Sequence, residues 1–231
     1  MLRYTKQILP RRTLIQSPPC HLFSTSSILQ SHIGRTPITF SSQDITIDHN
    51  LTAIKEPRIP SEMDNTMLTI KGPLGQLHMP IKPYVKLNIN NDNTNNGESV
   101  LQVSVDDATI KEQRSMWGTT RNLIRNMIIG VSEGYRIHLR LVGVGYRGVL
   151  ENNNRSISLK LGYSHPITVD LPEGITCTIP QPNRIVLQGT DLQQVTELAA
   201  TIQRWRKPEP YNQKGIFIND ETIKKKEGKK K

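Results

Sequence analysis

Cysteine, aromatic residues and long apolar runs are all scarce in this chain. Cys20 and Cys177 are the two cysteines among 231 residues, too few for a disulfide framework or a Cys-rich zinc site. The one thiol left after any N-terminal processing suits a reducing compartment. No stretch approaches the ~18 consecutive apolar residues of a membrane span, so membrane insertion through a helix is excluded. Aromatics make up 5% and hydrophobic residues 35% of the chain, the latter below the roughly 45–50% usual for globular proteins. A modest core is therefore expected, with much of the chain in loops or tails. The length suits one large or two small domains.

Acidic residues are missing before Asp44, and the net charge of +10 is unevenly placed. Residues 1–30 hold Arg3, Lys6, Arg11 and Arg12 and no acid, giving +4. Residues 204–231 carry ten basic and four acidic residues, giving +6, and residues 31–203 carry sixteen of each. The excess charge lies wholly in the two ends. The first segment is Ser/Thr-rich, with Leu2, Ile8, Leu9, Leu14 and Ile15 scattered among its cations. It lacks the continuous apolar stretch of a secretory signal and has the composition of a mitochondrial transit peptide. Cleavage is expected between Phe23 and Ser31, removing Cys20.

From Gly34 onward, short alternating strands are punctuated by Pro, Gly and Asn. Leu68/Ile70 and Leu77/Met79/Ile81 flank the turn Gly72-Pro73-Leu74-Gly75, which predicts a hairpin. Strands at Val85–Ile89 and Leu101–Val105 enclose the Asn-rich loop Asn90–Gly97. A helix is expected from Lys111 to Ile129, with Gly130 as its C-terminal stop. The second half repeats this order, with strands around Ile137–Leu141, Val142–Leu150, Ile157–Leu161, Ile167–Leu171, Ile175–Ile179 and Arg184–Leu187. Asp191 then caps a helix whose apolar face is Leu192, Val195, Leu198, Ala199, Ile202 and Trp205. LTIK (68–71) echoes ISLK (157–160). The expectation is an α+β chain of two tandem duplicated domains, 31–132 and 133–210. Each would be a small, mostly antiparallel sheet with one packed helix, flanked by disordered extensions at 1–30 and 211–231.

Candidate catalytic motifs are weak. Gly143-Val144-Gly145-Tyr146-Arg147-Gly148 has the spacing G-x-G-x-x-G, but a dinucleotide site needs a helix to follow it, and a strand follows instead. The apolar positions switch here from odd to even, as at a bulge, and glycines would let a partner approach the backbone. His78, His138 and His165 are far apart and have no metal-ligand spacing. No nucleophile elbow occurs. The expectation is therefore no enzyme activity, metal, cofactor or small-molecule substrate. Arg114, Arg121 and Arg125 fall within ~40° of arc on the first helix, either as a solvated face or as phosphate contacts. Arg204–Ile216 combines cations, a stacking aromatic and rigid Pro/Gly, the chemistry of RNA recognition. Lys224, Lys225 and Lys226 begin a basic tail, which serves either solubility or a polyanion.

LVGVGYRG (141–148), SLKLGYSHPI (158–167), LPEGI (171–175), RWRKPEPY (204–211) and KGI (214–216) resemble the bacterial-type large-subunit ribosomal protein L six family. GRTPI (34–38), TIKGPLG (69–75) and WGTTRNLIRNMIIGVSEGY (117–135) extend the resemblance through the first half. The added N-terminus is similar to that of a mitochondrial member. The resemblance implies two duplicated domains, no catalysis, and binding to large-subunit ribosomal RNA near the site where translation factors hydrolyse GTP. It also implies neighbouring ribosomal proteins as partners and residence in the mitochondrial matrix. Carried onto this sequence, the RNA-facing residues would be Gly143, Gly145, Tyr146, Arg147, Lys160, Ser164, His165, Arg204, Arg206, Lys207, Tyr211, Lys214 and Gly215, joined by the tail lysines. The family pattern PEPYKGKG is altered here, since Asn212-Gln213 replace a Lys-Gly pair.

Overall fold

The computed structural model describes residues 31–41, 45–50, 66–91, 98–152 and 154–228. The expected transit peptide, most of the Asn-rich loop and the last three lysines lie outside these residues. A short helix, α1 (His32–Arg35), leads into β1 (Ile38–Ser41), β2 (Thr46–Asn50), β3 (Thr66–Gly72), β4 (Gly75–Ile81), β5 (Val85–Asn91) and β6 (Glu98–Val105). Helix α2 (Lys111–Ser132) closes this repeat. The second repeat contains β7 (Tyr135–Val142), β8 (Arg147–Glu151), β9 (Ser156–Lys160), β10 (Ile167–Asp170), β11 (Ile175–Gln181) and β12 (Arg184–Gly189), then α3 (Leu192–Trp205). A last strand, β13 (Gly215–Ile218), follows.

Six strands and a helix thus occur twice, and the pairing repeats as well as the order. The sheet β1-β6-β5 corresponds to β7-β12-β11, and β2-β3-β4 corresponds to β8-β9-β10. Every pairing is antiparallel. The echo between LTIK and ISLK falls on β3 and β9, the central strands of corresponding sheets. The Asn-rich loop occupies the place of the short β11–β12 turn.

Alternation explains how each repeat closes. On β7, Ile137, Leu139 and Leu141 are buried while Arg136, His138 and Arg140 face outward, as the two-residue strand period requires. They join Ile157, Leu159, Ile185, Leu187 and the α3 residues Val195, Leu198, Ala199 and Ile202 in one core. The first repeat buries Leu68, Ile70, Leu101 and Val103 against Trp117, Ile124, Ile128 and Val131 of α2. Asp191 caps α3 by accepting from Gln193 N at 2.8 Å, satisfying one of the unpaired amides of the first turn.

Four expectations need correction. Helix α2 does not stop at Gly130 but runs to Ser132. The true terminator is Gly134, at φ +75°, whose N–H reaches Ile129 O at 3.1 Å. The buried row of α2 includes Arg121, so the three arginines are not one solvated or phosphate-facing stripe. Arg121 is 9% exposed, and its Nε and Nη2 donate to Thr36 O and Pro37 O at 3.0 and 3.2 Å. Trp205 leaves the apolar face of α3 and is 46% exposed. Finally, the chain beyond 210 is not a bare extension. β13 pairs with β7 from Gly215↔Val142 to Ile218↔Leu139, and Ile216 is fully buried. Four residues, the first a glycine, are too short a strand for periodicity to reveal.

Cys177 sits in the second core at 6% exposure, and burial pushes its thiol up to about 11. A thiol reagent at neutral pH should therefore label it only as the repeat unfolds, because the thiolate is the nucleophile. The folded value lies above the ordinary 9.0. Its stabilising contribution is thus intact below pH 9 and is lost as pH rises from there through about 11. Urea titrations at pH 8 and pH 10.5 should show a steeper fall for the native chain than for Cys177→Val. Equal slopes would contradict the assignment.

Candidate nucleic-acid interface

Three sequence-distant segments meet at one end of the second repeat. The first is the turn Gly143–Tyr146, which links β7 in one sheet to β8 in the other, with Tyr146 N reaching Gly143 O at 3.3 Å. It is therefore a turn between sheets rather than the continuous bulged strand Val142–Leu150 expected from the sequence. The second segment is the loop Gly162–His165 after β9, and the third is the end of α3.

Tyr163 joins the last two by donating its hydroxyl to Trp205 O at 2.8 Å. The Arg206 guanidinium lies 5.7 Å from the Tyr163 ring centroid, within cation–π range. Arg206 is held above its ordinary value, first by a hydrogen bond with the Tyr163 side chain and then by Tyr146. Tyr146 packs on the second core and contacts the space a side chain on Gly162 would fill. The Tyr163 and His165 rings lie 6.3 Å apart, and Ser164 Oγ is 3.5 Å from His165 Nδ1. The surface thus sets aromatic faces beside a cation, with Tyr163 and Arg206 oriented by each other's segments.

Strand register adds two like-charged pairs. Arg147 stands directly across from Lys160 on β8–β9, and Arg140 across from Arg184 on β7–β12. All four are exposed. Like charges at opposed strand positions are destabilising, and a polyanion would relieve both pairs. Arg147 and Lys160 form no ion pair among the described residues; the pairs Lys71–Asp48 and Lys86–Asp106 belong to the first repeat. Arg140 also lies over the Phe217 ring at 5.2 Å.

The C-terminal residues are ordered around this end. Ile216 N reaches Arg206 O at 2.9 Å, Glu209 N reaches Lys214 O at 2.9 Å, and Gln213 N reaches Glu209 O at 3.0 Å. Arg204, Lys207, Tyr211 and Lys214 surround this turn, and all four are exposed. Lys226 N reaches Pro210 O at 3.1 Å and Gln213 Nε2 reaches Ile223 O at 3.3 Å. Lys224, Lys225 and Lys226 are consequently folded back beside the turn rather than trailing from it. Gln213 adopts φ +53° where the family pattern has glycine, so its tether to Ile223 accompanies a strained backbone.

At two expected contact residues the fold itself requires a glycine. A side chain on Gly143 would meet the Tyr146 ring at 2.7 Å, and one on Gly215 would meet Pro208 Cα at 2.5 Å. Their close approaches are internal. Gly145, at φ +75°, faces open space, so a partner could reach its backbone. Tyr163 and Arg184 are candidates that the sequence does not single out individually, whereas Trp205 is the stacking aromatic expected in Arg204–Ile216. GYS (162–164) carries the signal for Tyr163, whereas the Arg140–Arg184 pairing spans a register that linear spacing cannot show.

Among the described residues, no group of three or more His, Cys, Asp or Glu could hold a metal ion, and no helix is long and apolar enough to cross a membrane. The family model described as Ribosomal protein L6 matches residues 61–134 and 142–217, one span in each repeat. Large ribosomal subunit protein uL6m of Neurospora crassa is 40% identical over 222 residues, covering 90% of this chain and 82% of that protein. Large ribosomal subunit protein uL6 of Metamycoplasma arthritidis is 41% identical over 72% of this chain and 88% of its own. The uL6 protein of Gluconacetobacter diazotrophicus is 43% identical over 70% and 85%. These are structural constituents of the large ribosomal subunit rather than enzymes. With both repeats matched and the relatives covered over most of their length, the chain belongs to the ribosomal protein L6 family.

Proposed function

We propose that this protein is a structural component of the mitochondrial large ribosomal subunit, binding large-subunit ribosomal RNA near the region where translation factors hydrolyse GTP. The observation that carries the reading is the convergence of Tyr146, Tyr163, Trp205 and Arg206 beside the opposed cations Arg147 and Lys160. Aromatic faces suit unstacked bases, and fixed cations suit the phosphates between them. The acid-free first thirty residues and the match of 90% of the chain to uL6m support the mitochondrial matrix as its location. Gradient sedimentation of mitochondrial extract should place the protein with the large subunit at moderate salt. A protein that stays off the subunit refutes the reading, and one that binds RNA elsewhere would be an RNA-processing or chaperone factor.

The tail supplies a second measurement. Replacing Lys224, Lys225 and Lys226 with Gln should flatten the dependence of RNA affinity on salt by roughly 0.7–0.9 in log–log slope for each phosphate no longer neutralised. The backbone tether at Lys226 survives this change. An unaltered slope would remove these lysines from the interface.

A further inference from the structure

The duplication supplies an internal comparison for the sheet face that turns away from each core. In the first repeat that face of β1-β6-β5 carries Thr39, Asn88, Asn90 and Gln102, and its lysine, Lys86, is paired with Asp106. The corresponding face of β7-β12-β11 carries Arg136, His138 and Arg140 at alternate positions of β7, with Arg184 across from Arg140. All four are exposed. Among the described residues, the side chains of Arg136 and Arg184 have no hydrogen-bonding or ionic partner. The same scaffold thus folds without these charges in the first repeat, and the opposed Arg140 and Arg184 work against it in the second. Their use lies outside the chain.

The chemistry of the face selects the partner. A protein interface is centred on apolar or aromatic anchors, and this face offers little of either. Val186 is half-buried, and Phe217, the aromatic that shares the face, is 5% exposed beneath the Arg140 guanidinium. The same covering removes any platform on which unstacked bases could lie. What remains is a row of cations, flanked by Thr176, Thr178 and Gln188 on the neighbouring strands, all donors suited to phosphate and sugar oxygens. Alternate residues of a strand stand ~6.8 Å apart, so β7 presents an evenly spaced line of charge rather than a point. A groove of about 360 Å³ beside it is lined by Arg140, Arg184 and Asn219, with Asp220 as its acid. The row starts beside the aromatic end, where Leu141 N reaches Asn183 O and Gly148 N reaches Pro182 O, each at 2.9 Å. We propose that this face holds an RNA duplex by its phosphate backbone, without reading bases, and leads it away from the aromatic end. The inference rests on the RNA-binding reading above and adds to it a second contact, blind to sequence and specific for paired RNA.

The probes are a short blunt-ended RNA duplex and a single-stranded oligouridylate, each added to the full chain. The duplex should bind saturably, with equal affinity for two unrelated sequences. Arg136→Gln should weaken duplex binding and flatten its log–log salt dependence by roughly 0.7–0.9, the share of one phosphate, while oligouridylate binding stays unchanged. Arg184→Gln should weaken the duplex too, with a melting temperature no lower than the native chain's, because an opposed like charge is gone. Tyr163→Ala should show the converse preference, losing oligouridylate more than duplex. Duplex binding unmoved by Arg136→Gln would overturn the proposal, and the aromatic end would still stand if Tyr163→Ala weakened oligouridylate. A native chain that binds neither RNA would overturn both readings. A lower melting temperature for Arg184→Gln would assign that charge to the fold, and an Arg136→Gln chain that loses a polyglutamate peptide but keeps the duplex would assign the face to an acidic protein; either result overturns the proposal.

Discussion

Gly215→Ala should cost roughly 3 kcal/mol or more, because it combines backbone strain with overpacking against a rigid neighbour. Gly215 adopts φ +148°, and an added Cβ would lie 2.5 Å from Pro208 Cα, 2.7 Å from Pro208 N and 2.9 Å from Lys207 C. All three are backbone atoms, so no side-chain rotation relieves the contact. Something larger must move, and the weakest attachment nearby is β13. Its departure would withdraw Ile216 from the core and break the bonds Ile216 N to Arg206 O and Asn219 N to His138 O. The loss should reach function because the bond from Ile216 N to Arg206 O holds the residue whose guanidinium lies over Tyr163. Denaturant unfolding should therefore show the stability loss, and RNA affinity should fall at the same time. Gly145→Ala is the control. It also stands at positive φ, but faces open space, so the expected cost is only about 1–2 kcal/mol. Equal effects at the two glycines would show that conformation, not the approach to Pro208, decides the outcome.

The contrast between these glycines bears on how much the sequence could reveal. Features fixed by local chemistry were legible. The alternation of Ile137, Leu139 and Leu141, the Asp191 cap and the echo between 68–71 and 157–160 predicted the repeats and their α+β class. The family motifs then pointed to the end of the second repeat where the aromatic and cationic side chains converge. What stayed hidden depends on partners distant in the chain. Arg121 reads as one of three exposed arginines until β1 comes within reach of its guanidinium. Gly143 reads as an opening for a partner until Tyr146 fills the space a side chain would take, and nothing local to Gly215 announces Pro208. β13 reads as tail because a four-residue strand has too few positions for a period to emerge. A glycine in a sequence reports a need for space or for positive φ, but not which one, nor whether the neighbour belongs to the same chain.

Gly130→Ala should uncouple the two repeats while leaving each core intact. Gly130 lies within α2, where alanine ordinarily favours the helix by about 1 kcal/mol. The local effect is therefore stabilising, and propensity alone predicts a more stable protein. Opposing it, the added Cβ would overlap Thr190 O and stand 3.2 Å from Tyr135 Cε2. Thr190 immediately precedes the Asp191 cap of α3, so the contact sets how closely the first helix meets the start of the second. The Tyr135 hydroxyl donates to Asn126 O at 2.9 Å, bracing the same junction. An overlap with a backbone oxygen outweighs the propensity gain, since overpacking costs typically ~1–3 kcal/mol and here has no flexible side chain to absorb it. The expected result is a split of one cooperative melt into two, with faster proteolysis around Glu133–Gly134 and a larger radius of gyration. Because Ile124 and Ile128 face the first core and Ile202 the second, the separate repeats should keep their strands and helices. A single transition shifted upward would mean that helix propensity prevails and that the two repeats do not depend on this contact.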